Sequence, residues 1–157
     1  MTNSGRVNII RITDEDRQHM QVSRQIRYQV FVEEQHVPEE LEYDEYESAS
    51  RHYLLLAEGK GAATCRWRET SGGIKLERFA VLPLHRGKGF GAFMLQHLLD
   101  EAIPMNRKFY LHAQVQVCDF YSKYGFAKEG ERFEEAGIQH FKMSYIKIGR
   151  ASCRERV

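Results

Sequence analysis

The chain has 157 residues, 42% of them hydrophobic and 29% charged, which fits one globular domain and excludes a disordered chain. Its 23 lysines and arginines against 22 acidic residues give a net charge of +1, without the basic excess that nucleic-acid binding requires. No apolar stretch reaches the ~18 residues of a membrane span, and Cys65, Cys118 and Cys153 show no C-x-x-C spacing, which argues against disulfides and structural zinc.

In chain order, Val7-Asn8-Ile9-Ile10-Arg11-Ile12 reads as an opening strand. Thr13-Asp14-Glu15-Asp16 is a helix start with Thr13 as the expected cap, and Val22, Ile26 and Val30 give the helix an apolar stripe. Pro38 stops regular structure, and residues 39–47 read as an acidic, tyrosine-bearing loop. Residues 52–58, 62–69 and 74–82 are three strands joined by Gly-rich turns, an antiparallel meander. A helix is expected over 89–103, with Ala92, Leu95, Leu99 and Ala102 inward. A strand over 108–115, a short helix over 117–124 ended by Gly125, and strands at 126–128 and 138–146 complete an α+β order.

Residues 148–157 lack strand or helix periodicity and can be written in codons that match a widely used sequencing-adapter sequence in one frame. They read as a non-native read-through tail, leaving one domain over 1–147. Removing them takes out three arginines and one glutamate and turns the net charge of +1 into −1. Met1-Thr2-Asn3-Ser4-Gly5 has neither a basic n-region nor an apolar h-region, so a cytoplasmic location is expected.

The most informative segment is Leu82-Pro83-Leu84-His85-Arg86-Gly87-Lys88-Gly89-Phe90-Gly91-Ala92. A strand runs into three alternate glycines, and a helix begins there. Glycines admit positive φ and close approach, and the first helical turn offers free N–H groups to an anion. Arg86 and Lys88 add positive charge, so the segment reads as a pyrophosphate cradle. Neither the G-x-G-x-x-G nor the G-x-x-x-x-G-K-[ST] pattern fits it.

Arg86-Gly87-Lys88-Gly89-Phe90-Gly91 resembles the R/Q-x-x-G-x-G/A signature of the GCN5-related N-acetyltransferases, the GNAT superfamily. Phe120-Tyr121-Ser122-Lys123-Tyr124-Gly125-Phe126 is similar to that family's F-Y-x-K-x-G-F segment. The stretch from Arg27 to Pro38, with Glu40, Glu42 and Asp44 after it, resembles the ElaA-like branch, as do Leu76-Glu77-Arg78 and Gly137-Ile138-Gln139-His140. The resemblance spans about residues 7–147. It implies a mixed, mostly antiparallel sheet flanked by helices, with splayed fourth and fifth strands. It also implies acetyl-CoA as cosubstrate, a small-molecule primary amine as acceptor, and compatibility with a homodimer. On this resemblance, backbone groups of Phe79, Ala80 and Val81 meet the pantetheine and thioester. Arg86, Gly87, Lys88, Gly89, Phe90, Gly91 and Ala92 hold the pyrophosphate.

Acetyl transfer needs a base for the amine, a donor for the thioester oxygen and an acid for the leaving thiolate. Tyr121 matches the family's acid; otherwise it is a core tyrosine packing a short helix. For the base, Glu77 shares a face with Phe79 on the fourth strand, and the competing reading pairs it with a nearby arginine. His112 is the alternative base, and a core histidine is its competing reading; His140 has the same ambiguity. Cys118 reads as a small buried hydrophobe, and the seven histidines show no metal-ligand spacing.

Glu33, Glu34, Glu39, Glu40, Glu42, Asp44, Glu45 and Glu47 crowd the segment after the first helix. This either attracts a cationic amine or is a solvated acidic loop. Two further functional readings stand beside the small-molecule enzyme. One is a non-catalytic acyl-CoA-binding module; the other is protein-lysine acetylation.

Overall fold

The structure is a computed structural model that describes residues 6–146. The expectation of a non-native tail at 148–157 lies outside the described residues. Contacts divide the described residues into two compact units, one built from residues 6–68 with Glu77–Asn106, the other from Glu69–Leu76 with residues 107–146.

The first unit opens with β1 (Val7–Ile12) and α1 (Arg17–Arg27). The cap of α1 is Asp16, not Thr13. Asp16 Oδ1 accepts the His19 backbone N–H at 3.2 Å, while Thr13 spends its carbonyl on a turn to the Asp16 N–H at 3.0 Å. The helix then widens into a π-helical segment, Tyr28–Glu34, before a short α2 (Glu39–Glu42) inside the expected acidic loop. A π-helical stretch leaves no signature in a 3.6-residue stripe, which is why the sequence reads it as plain helix.

β2 (Arg51–Ala57) pairs antiparallel with β1, from Val7 opposite Ala57 to Ile12 opposite His52. β3 (Lys60–Thr70) pairs antiparallel with β2, with a register shift between Leu55 and Leu56. Ile12, Ile26, Val30, Leu54 and Ala80 form a core packed by Met20, Val22 and Phe31. Gly61 permits this close approach, since a Cβ there would lie 2.5 Å from Val22 Cγ1. Tyr53, on the other face of β2, meets the His97 ring edge-on at 5.7 Å. His97 belongs to α3 (Phe90–Ala102), which follows β4 (Gly73–Val81) and a 3₁₀ turn, Pro83–His85. α3 buries Met94, Leu95, Leu98, Leu99 and Ala102. Pro104 lies within a further 3₁₀ turn, Ile103–Met105.

The second unit holds the start of β4 and β5 (Phe109–Gln114), α4 (Cys118–Ser122), β6 (Phe126–Lys128), β7 (Phe133–Glu135) and β8 (Ile138–Tyr145). β4 and β5 are parallel over three residues each, from Ile74 opposite Phe109 to Leu76 opposite Leu111. β8 pairs antiparallel with β5, β6 and β7. Among the described residues the eight strands are thus mixed and mostly antiparallel, as expected for the α+β class. β7 was not expected, because three residues carrying two glutamates show no strand pattern. A tight turn makes it: Ala136 and Gly137 both have positive φ, the geometry of a two-residue hairpin.

Candidate active site

β4 ends at Val81, and the chain reaches α3 through extended Arg86 and the left-handed Gly87 and Gly89, with φ of 79° and 81°. Gly89 caps α3 without a side-chain partner, so no side chain caps the first turn. A Cβ built at Gly87 or Gly89 would meet nothing within 4 Å. These glycines therefore answer to backbone conformation and not to crowding. An anion fits such a cradle by charge and by available N–H donors.

Arg86 donates from Nη1 and Nη2 to the two carboxylate oxygens of Glu34, both at 2.7 Å, and from Nε to the Val81 carbonyl at 2.9 Å. The hydrogen bonds from Arg86 hold the Glu34 carboxyl below the usual carboxylate range. The Arg86 side chain thus braces the loop against the end of the π-helical segment, and its charge is already paired. Lys88 is exposed.

Glu77 lies in an ion-pair network. Its Oε1 accepts Arg66 Nε at 2.9 Å and Arg68 Nε at 3.0 Å, and its Oε2 accepts Arg68 Nη2 at 3.3 Å. Arg66, fully buried, also donates to Asp44 at 2.7 Å and Glu47 at 2.8 Å. Arg27 binds Glu42 and Glu47, and Arg78 donates to Asp44 at 3.1 Å. Burial alone would raise the Glu47 pKa, yet the hydrogen bonds and charge of Arg27 outweigh it and bring it to about 2. The acidic segment is therefore not a uniform solvated loop. Glu34, Glu42, Asp44 and Glu47 are paired with arginines, whereas Glu33, Glu39, Glu40 and Glu45 are exposed. Phe31 packs on the core; Tyr28, Tyr43 and Glu33 line a groove beside α1.

In the second unit, Tyr121 sits on α4, buried, its ring edge-on to Phe126 at 5.9 Å. Gly125 ends this turn with φ of 97°, close against Tyr145. His112 lies on β5 with Nδ1 2.8 Å from Glu135 Oε1. His140 Nδ1 bonds the Ile138 carbonyl at 2.7 Å, and its ring stacks on Phe133. Cys118 is buried, and burial pushes its thiol up. Sequence reasoning missed Glu135 and Phe133, whose only signal was the Ala136-Gly137 turn beyond them.

The family model for the GNAT acetyltransferase domain matches residues 12–147, and the chain belongs to that family. The uncharacterized N-acetyltransferase YjcF of Bacillus subtilis is 40% identical over 75% of this chain and 86% of its own. Protein ElaA of Escherichia coli is 28% identical over 76% of this chain and 82% of its own. The ElaA crystal structure aligns with a TM-score of 0.78 at 22% identity, covering 89% of this chain and 99% of that one. An acyl-CoA N-acyltransferase from Pseudomonas aeruginosa aligns with a TM-score of 0.79 at 24% identity, covering 89% and 98%. No helix among the described residues is long and apolar enough to cross a membrane.

Proposed function

We propose that this chain, as a single domain over 1–147, moves the acetyl group of acetyl-CoA directly to a primary amine on a small acceptor. The observation that carries this reading is the loop of left-handed glycines opening onto the N-terminus of α3. Backbone amides from Arg86 to Ala92 take the pyrophosphate. Lys88 adds charge, while the Arg86 side chain is held by the Val81 carbonyl and Glu34. Backbone groups of Phe79, Ala80 and Val81 take the pantetheine and thioester, and an N–H of Ala80 or Val81 meets the thioester oxygen as charge builds there.

Tyr121 is the acid that protonates the leaving thiolate. Glu77 we assign to the ion-pair reading, because Arg66 and Arg68 already occupy its carboxylate. Attraction of a cationic amine then rests on the exposed Glu33, Glu39, Glu40 and Glu45, since arginines neutralise Glu42, Asp44 and Glu47.

The test is thiol release from saturating acetyl-CoA across a panel of polyamines, aminoglycosides, simple alkylamines and a lysine peptide, with products identified by mass. Acceptor-dependent release with a small amine and a mass gain of one acetyl group are expected. Tight CoA binding with no acceptor-dependent turnover supports a binding module instead, and turnover confined to the peptide supports protein-lysine acetylation.

A further inference from the structure

We propose that His112 is the base that takes the proton from the acceptor amine, and that Glu135 is the residue that positions it. This rests on the N-acetyltransferase reading above.

β5 alternates cleanly: Phe109, Leu111 and Ala113 are buried, while Tyr110, His112 and Gln114 are half-exposed on the other face. The parallel ladder with β4 ends at Leu111, and His112 is the next residue of β5. A base needs a defined tautomer, a fixed ring and a route for its proton, and His112 has all three. Glu135 Oε1 lies 2.8 Å from Nδ1. The hydrogen bond from His112 holds the Glu135 carboxyl at about 2, so at neutral pH it is ionised and can only accept. Nδ1 therefore carries the hydrogen, and the lone pair of the neutral ring lies on Nε2. Phe133 meets the ring edge-on at 5.0 Å and is itself stacked on His140 at 5.8 Å. The side chain is 25% exposed, which leaves the proton a way to solvent.

The charged and titratable groups around this pair come from four strands. They are Glu135 on β7, Tyr110 on β5, Lys75 on β4, and His140 and Lys142 on β8. Lys142 lies opposite His112 in register, with its ammonium 5.0 Å from the centre of the Tyr110 ring. Glu135 Oε1 is a hydrogen-bond partner of the imidazole, through Nδ1. This is the arrangement of an oriented base, with imidazole held by a carboxylate.

An ammonium acceptor gives one proton to Nε2 and from there to solvent. The freed lone pair forms the N–C bond at the thioester carbonyl, and the C–S bond breaks. The sulfur takes its proton from Tyr121, and the second amine proton restores the tyrosine through Nε2 or solvent. The products are the amide and free CoA thiol.

The discriminating experiment compares two acceptors at neutral pH under saturating acetyl-CoA: an alkylamine, almost wholly protonated, and a weakly basic alkoxyamine, already neutral. His112→Gln should lower kcat about 10²-fold with the alkylamine and less than fivefold with the alkoxyamine. Glu135→Gln should follow the same split, with about a tenfold loss on the alkylamine and an unchanged KM for acetyl-CoA. Glu135→Asp should recover part of it, and added imidazole should restore turnover to His112→Ala. Equal losses on both acceptors, or no loss, overturn the base. A wild-type chain that binds acetyl-CoA and releases no thiol with any amine overturns the acetyltransferase reading itself, and the base with it.

Discussion

Arg27 and Glu42, each only 1% exposed, face one another through two bonds between side chains, Nε to Oε2 at 2.8 Å and Nη2 to Oε1 at 3.1 Å, and Nη2 also donates to the Glu42 carbonyl at 3.2 Å. One residue lies on the last turn of α1 and the other ends α2, so the pair ties the short acidic helix to the core. Arg27 reaches Glu47 as well, and Arg66 extends the network to Asp44 and Glu77.

Removing one member leaves its partner buried and uncompensated. Glu42→Leu should therefore destabilise the fold by about 3–5 kcal/mol. Urea unfolding checks this through its midpoint. An unchanged midpoint would show that Glu47 alone satisfies Arg27.

Acid should dissolve the same network. The folded-state pKa of Glu47, about 2, lies below its ordinary value of 4.5, so the unfolded chain binds this proton more readily. The contribution is complete above about pH 4.5 and is lost as pH falls through about 2. With the side chain 14% exposed, the shift corresponds to about 3 kcal/mol. Stability measured from pH 6 to pH 2 should fall less steeply in Glu47→Gln than in the wild type. Parallel curves would place the acid sensitivity elsewhere.

Glu34 competes with any anion for the Arg86 guanidinium. The two side chains are 41% and 42% exposed, so their pairing contributes about 0–1 kcal/mol to stability. Glu34→Gln should leave the unfolding midpoint nearly unchanged and tighten acetyl-CoA binding severalfold, most clearly at low salt, as read by calorimetry. Weaker binding would show that the brace from Arg86 to Glu34 is itself needed to shape the loop.

Gly73 begins β4 with φ of 128°, and a Cβ there would lie 2.4 Å from the Lys108 carbonyl oxygen, which accepts the Ile74 N–H at 2.8 Å. A backbone atom cannot swing aside as a side chain can. Gly73→Ala should cost about 2 kcal/mol or more through combined strain and overlap. Thermal unfolding checks it, and a loss under 0.5 kcal/mol would contradict the geometry.

The elements that could be read from sequence are those with a strong local pattern. The meander of β2, β3 and β4, the Gly-rich entry to α3 and the Gly125 stop after α4 all came from residues whose conformational demands are local. The expected bounds differ from the observed ones by a residue or two at most ends. What stayed hidden depends on contacts between distant residues. The charge run at 33–47 does not disclose that Arg27, Arg66 and Arg78 return to neutralise part of it. The same holds for Glu77, where sequence left a base and an ion pair standing side by side. β7 carries Glu135 to His112 across 23 positions of chain, with only a two-residue turn to announce it.

The most direct measurement is acceptor-dependent thiol release by the wild-type chain and by Tyr121→Phe, with acetyl-CoA saturating. The account predicts release that requires a primary amine, and a fall in kcat of tenfold or more when the phenol is removed, with acetyl-CoA binding retained. Tight acetyl-CoA binding without amine-dependent release in the wild type, or full turnover in Tyr121→Phe, would contradict it.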